Sequence, residues 1–172
     1  MITEGLRSNA HTAPSRVLRG RTLLNVFEEI GSFVFHGSPK RFDLIKPHQS
    51  FNRDRASGEA IADGGPSISA TSEADVAIFC ALVSAKRRNV GPCRAGFNRS
   101  GRDPQFRATR NLLDAARRAD AVGFVYVLRR CWFVPHVGCE FRAIQPVWPH
   151  AVVSVHSCDL PPDIQIIEMD EP

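Results

Sequence analysis

The clearest element in the sequence is short: Val122–Leu128 (VGFVYVL) joins β-branched, aromatic and aliphatic residues in a run of strand length. A strand needs partners, and the other segments of this kind are also brief. They are Ser32–His36 (SFVFH), Ser67–Thr71 (SISAT), Trp132–Pro135, Glu140–Ile144 and Val152–His156. Helical patterns are few. Thr22 is placed to cap a helix with Leu23, Leu24, Val26, Phe27 and Ile30 on its apolar face and Gly31 at its end. Thr71 or Ser72 can cap a second helix, with Glu73 and Asp75 in its first turn, where the helix dipole favours acids. Ala74, Ala77, Ile78, Ala81 and Leu82 give that helix its buried stripe. Ala108–Asp120 reads as a third helix. Short strands mixed with few helices fit an α+β fold better than a doubly wound one.

With 172 residues, 43% hydrophobic, the chain is the size of one domain and can bury a core. Residues 1–21 read as a loose basic arm, 22–160 as the domain and 161–172 as an acidic tail. Two polar stretches, Pro47–Pro66 and 89–106, read as long loops, and loops of that length in a compact domain often carry function. No apolar run reaches membrane-spanning length. The N-terminal residues lack the apolar stretch of a signal peptide, so the expectation is a cytoplasmic protein.

The five cysteines, Cys80, Cys93, Cys131, Cys139 and Cys158, are odd in number and form no CxxC pair, which argues against a disulfide framework. Cys131, His136 and Cys139, with His156 and Cys158 further on, lack the paired spacing of structural zinc sites, so no metal is expected and the cysteines read as buried thiols.

Charge is uneven. From Lys86 to Arg118 ten basic residues face only Asp103 and Asp114, a net +8, whereas the chain from Asp159 onward carries −5. A basic middle suits an anionic partner, nucleic acid or a phosphorylated ligand, and equally a solvated surface.

Three segments stand out for chemistry. Phe35-His36-Gly37-Ser38-Pro39 ends a strand. Ile68-Ser69-Ala70-Thr71 leads into the Ala-rich helix. Gly138-Cys139-Glu140-Phe141 enters a late strand. In this order and spacing the set, spanning residues 32–156, resembles the ADP-ribosyltransferase family in its His-containing form. His36-Gly37-Ser38 matches the first motif, Ser67–Thr71 with Ala74, Ala77, Ile78, Phe79 and Ala81 the second, and Glu140 the catalytic glutamate of the third. The resemblance implies a split antiparallel or mixed β-sheet core, NAD as substrate, and transfer of ADP-ribose to a macromolecule, in some cases as a toxin. The tyrosine that His-type members carry in the second motif falls here on Ser69 or Ile68, and the single Tyr, Tyr126, lies in another strand.

The chemistry can also be argued directly. Cleaving the nicotinamide–ribose bond develops positive charge on the sugar. A carboxylate such as Glu140 stabilises that state, as carboxylates do in glycosidases. His36 would orient a ribose hydroxyl, and Gly37, lacking a Cβ, would let its backbone approach the nicotinamide amide. Ser38, Ser69 and Thr71 can donate to ribose or phosphate oxygens. Arg53 or Arg55 would hold the diphosphate. Residues 86–118 would serve a nucleic-acid acceptor. The alternatives are an NAD glycohydrolase, a degenerate NAD-binding module without chemistry, and a nucleic-acid-binding protein with no NAD site.

Overall fold

A computed structural model describes residues 17–53, 59–84, 90–100 and 103–168. The fold is α+β. Its elements are β1 (Val17–Arg19), α1 (Arg21–Ile30), β2 (Phe33–Ser38), β3 (Phe51–Arg53), β4 (Ala60–Ala62), β5 (Ile68–Thr71), α2 (Ala74–Leu82), β6 (Ala95–Ser100) and β7 (Asp103–Thr109). They continue with α3 (Arg110–Arg117), β8 (Val122–Arg129), β9 (Val134–Pro135), β10 (Glu140–Ala143), β11 (Ala151–His156) and β12 (Ile164–Ile167). A seven-stranded sheet runs in the order β1-β11-β8-β2-β5-β10-β9, a three-stranded sheet in the order β12-β7-β6, and β3 and β4 form a two-stranded hairpin. β1 is parallel to β11 and β12 to β7, while the other neighbours are antiparallel. Among the described residues no helix is long and apolar enough to cross a membrane.

The run Val122–Leu128 is apolar throughout because β8 is covered on both faces. Val125 and Val127 face a core with α2 and α3, and Tyr126 and Leu128 face a second core with Val34, Ile68, Phe141 and Val152. α2 presses on the first face with buried residues all round its circumference, from Ala74 to Leu82. It comes so close that a Cβ on Gly37 would run into the Ala77 carbonyl oxygen and lie 2.9 Å from the Ala81 nitrogen. A Cβ on Gly123 would lie 2.8 Å from that of Ala81. The second face is closed by loop residues Ile45, Phe133 and Val147. There the Tyr126 hydroxyl accepts from the Phe42 N–H (2.5 Å) and donates to the Lys40 carbonyl (2.9 Å), and burial pushes its pKa up to about 12.

Several boundaries differ from those read in the sequence. Val17–Arg19 is not a loose arm but pairs with Val152–Ser154, and α1 begins at Arg21, one residue before Thr22. β2 continues through Gly37 and Ser38, which the sequence marks as breakers, because Gly37 and Ser38 pair with Val125 and Phe124. The stretch 47–66 contains the β3–β4 hairpin. The stretch 89–106 is largely the β6–β7 hairpin. Phe97 and Phe106 face each other across its two strands, so its apolar pattern is invisible along either strand alone. α3 is accordingly shorter than 108–120, since Ala108 and Thr109 belong to β7. The tail beyond 160 contributes β12, with Ile164 pairing with Phe106. All five cysteines are free, but none is fully buried, and Cys131 and Cys158 are exposed.

Candidate active site

β2 and β5 touch in register at a single pair, Phe35 and Thr71. Beyond it β2 follows β8 as far as Ser38 opposite Phe124, while β5 follows β10 from Thr71 opposite Glu140 to Ile68 opposite Ala143. Each strand keeps its outer partner and the sheet parts between them. Along β2 the side chains alternate, Val34 into the second core and Phe35 into the first. His36 shares the face of Val34, with its ring 6.0 Å from that of Tyr126. The gap is where it meets β5: His36 Nδ1 lies 2.7 Å from the Ser69 carbonyl oxygen.

A carbonyl oxygen only accepts, so Nδ1 carries the proton in that bond and the neutral ring leaves Nε2 as an acceptor. Burial, the largest influence, lowers the His36 pKa below its usual 6.5. The Ser69 bond works against this shift, and His48 adds to it. The sign for stability follows. Below 6.5 the unfolded ring binds a proton that the folded ring resists, so stability is lost as pH falls through 6.5 towards the lower folded value. The melting temperature is therefore expected to fall between pH 7.5 and 5.5, and to fall less in His36→Gln, as read by parallel thermal melts.

β5 and β10 carry the carboxylate. Alternation sends Ile68, Ala70, Phe141 and Ala143 into the second core and leaves Ser69, Thr71, Glu140 and Arg142 on the other face. The Ser69 hydroxyl donates to Glu140 Oε1 (3.0 Å), as does Arg142 Nε (2.8 Å). Arg142 Nη2 also binds Asp63 Oδ2 at 2.7 Å. Hydrogen bonds to Glu140 and Asp63 hold the guanidinium protonated still more firmly than usual. Among the described residues nothing bonds Glu140 Oε2. Glu140, Arg142 and Asp63 together carry one net negative charge, so the arginine fixes the carboxylate without cancelling the charge of the cluster.

His36, Gly37, Ser69, Thr71 and Glu140 line one cavity of about 370 Å³, together with Phe35, Val76, Ala77, Cys80, Phe97 and Cys139. Burial, with Cys139 second, pushes the Cys80 thiol up to about 11, so it stays uncharged and adds to the apolar wall. A second cavity of about 690 Å³ shares His36, Gly37 and Cys80 with the first and continues past Lys40, Phe42, Lys46 and His48. Both volumes fall in the ~300–1,000 Å³ range of small-molecule sites.

The remaining sequence-predicted residues are placed as follows. Ser38 lines the second cavity and its hydroxyl accepts the Lys40 N–H at 3.1 Å. Thr71 accepts the Glu73 N–H at 3.1 Å in a turn ahead of α2. Neither Thr71 nor Ser72 caps the helix itself: the cap position is Glu73, and Glu28 of α1 accepts the Ala74 N–H at 3.0 Å. Gly37 borders both cavities, but the approach its missing Cβ permits is that of α2. Arg53 is in β3; its side chain, and all of Arg55, lie outside the described residues. Sequence reading missed Arg142, although the two-residue period of a strand places it beside Glu140. Asp63, Lys40, Lys46 and His48 carry no local signal.

No family model, curated protein or solved structure matches this chain.

Proposed function

We propose that the chain is an NAD-dependent ADP-ribosyltransferase that breaks the nicotinamide–ribose bond in the gap between β2 and β5. One observation carries the reading: Glu140 and His36 leave their strands on opposite faces of the sheet but border one cavity where β2 and β5 part, and they are joined through Ser69, whose carbonyl receives His36 and whose hydroxyl holds Glu140. The His36–Gly37–Ser38 and Glu140 motifs identified in the sequence support it as well.

In this reading the nicotinamide ribose lies between His36 Nε2, which accepts from one hydroxyl, and Glu140 Oε2, which accepts from another. As the C1′–N bond breaks, its electron pair leaves with nicotinamide, which becomes neutral, and C1′ becomes cationic. The net negative charge of the Glu140–Arg142–Asp63 cluster is strongest in its effect at that moment. Val76, Ala77 and Cys80 offer the departing ring an apolar wall in place of an aromatic one. Lys40 and Lys46 supply positive charge for the diphosphate, a role the sequence reading gave to Arg53 or Arg55. Lys46→Ala is therefore expected to raise the KM for NAD on the order of fivefold with kcat nearly unchanged, since an exposed cation binds ground and transition states alike. An unchanged KM would remove Lys46 from the site.

The test is incubation with NAD while following free nicotinamide, with and without added macromolecules. Release that depends on an acceptor supports transfer. Release without one makes the chain a glycohydrolase. Tight NAD binding with no release in any mixture makes it a non-catalytic binding module and overturns the proposal.

A further inference from the structure

The β6–β7 ribbon connects the candidate active site to a group of exposed arginines. Phe97 of β6 lines the catalytic cavity and is 41% exposed, which places it at the rim. Pairing puts Phe97 opposite Phe106 on the side facing the core, with ring centroids 6.4 Å apart, and Gly96 opposite Arg107 on the outward side. Arg94 just before β6, Arg107 in β7 and Arg110 at the start of α3 are exposed, and none has an ion pair among the described residues. Arg99 differs: it pairs with Glu73 and ties the ribbon to the start of α2. Asp103 is the one acid within β6 and β7, and Asp114 the one within α3. Among the described residues β6 is also an edge strand, with β7 on one side and no strand on the other.

We infer that this ribbon is the acceptor platform and that the acceptor is a single-stranded nucleic acid. The inference rests on the ADP-ribosyltransferase reading above. Unpaired arginines on an exposed ribbon neutralise phosphates irrespective of sequence. An aromatic ring at the cavity rim is a stacking partner for an unpaired base. A base that is to react must leave its duplex stack to reach a buried centre, which favours a single strand. An acidic protein would answer the charge but has no base to place on Phe97. Crossing the β6 edge takes the strand from Arg94 and Arg107 to Phe97 and so to Glu140. The step balances: the C1′–N bond to nicotinamide breaks with its electron pair on nicotinamide, a base nitrogen or hydroxyl oxygen bonds C1′, and the proton it loses passes to Glu140 and then to solvent.

The test uses the full chain and fluorescein-labelled 20-nucleotide single strands of mixed sequence, DNA and RNA, read by anisotropy over a salt series. The triple variant Arg94→Ala/Arg107→Ala/Arg110→Ala is expected to weaken binding about tenfold or more and to flatten the log–log salt slope by about 2, near 0.7 per lost phosphate contact. Phe97→Ala is expected to weaken binding about tenfold with the slope unchanged. With NAD labelled in its adenylate, label is expected on the oligonucleotide, and the triple variant should lose this transfer while its affinity for NAD stays as in the parent. Parental binding by the triple variant overturns the inference. So does label on poly-L-glutamate in preference to the oligonucleotide. Nicotinamide release without oligonucleotide binding overturns the acceptor and leaves the NAD chemistry standing. Oligonucleotide binding through these arginines with no nicotinamide release overturns the acceptor role through failure of the NAD reading itself.

Discussion

Glu140→Gln is expected to slow nicotinamide release on the order of 100-fold or more while leaving the affinity for NAD nearly unchanged. The amide keeps the size of the side chain, and its oxygen can still accept from Ser69 and Arg142, which hold Oε1 at 3.0 and 2.8 Å. What is lost is the negative charge. The Glu140–Arg142–Asp63 cluster then goes from one net negative charge to neutral. Bound NAD carries its positive charge on the nicotinamide ring, and in the transition state that charge moves to the ribose, next to residue 140. The loss therefore falls on the rate and hardly on ground-state binding. Stopped assays of nicotinamide release with calorimetric NAD affinities check both halves, on variants whose melting temperatures match the parent. Equal turnover by the variant would remove Glu140 from the catalytic role. A rise in Kd as large as the fall in rate would make it a binding residue only.

Gly37→Ala is expected to act first on the fold. The added Cβ would collide with the Ala77 carbonyl oxygen and crowd the Ala81 nitrogen, both backbone atoms of a helix buried all round. Neither can move without the helix. Overpacking of this kind costs roughly 1–3 kcal/mol and should lower the melting temperature by about 2–12 °C. Because Val76, Ala77 and Cys80 of α2 form one wall of the cavity, a displaced helix also takes NAD affinity with it. The sequence offered a different reason for this glycine, the approach of a ligand amide. That reason would instead cost affinity at an unchanged melting temperature, so thermal melts read beside NAD binding separate the two.

The contrast at Gly37 shows what a sequence can and cannot reveal here. Glu140 stood out because the beginning of a strand is a local pattern, visible within a few positions, whereas His36 was read as a strand end and β2 runs on to Ser38. The partition of β5 into a core face and a site face was legible by alternation, and it carries over to Arg142 on β10. Asp63 was not legible: it reaches Arg142 across 79 positions of chain, and nothing near it marks the contact. The β6–β7 hairpin was read as a loop because its apolar pair, Phe97 and Phe106, is formed between strands rather than along one. The C-terminal strand was hidden by its acidic surroundings, although Ile164 and Ile166 already follow the two-residue period.

The most direct measurement is a crystal structure of the Glu140→Gln variant with NAD at saturating concentration, the variant being expected to bind without turning over. The nicotinamide ribose is expected between β2 and β5, with His36 Nε2 accepting from a ribose hydroxyl, residue 140 beside C1′, and the diphosphate running towards Lys46. A dinucleotide seated outside the gap between β2 and β5, or no bound dinucleotide, would contradict the account.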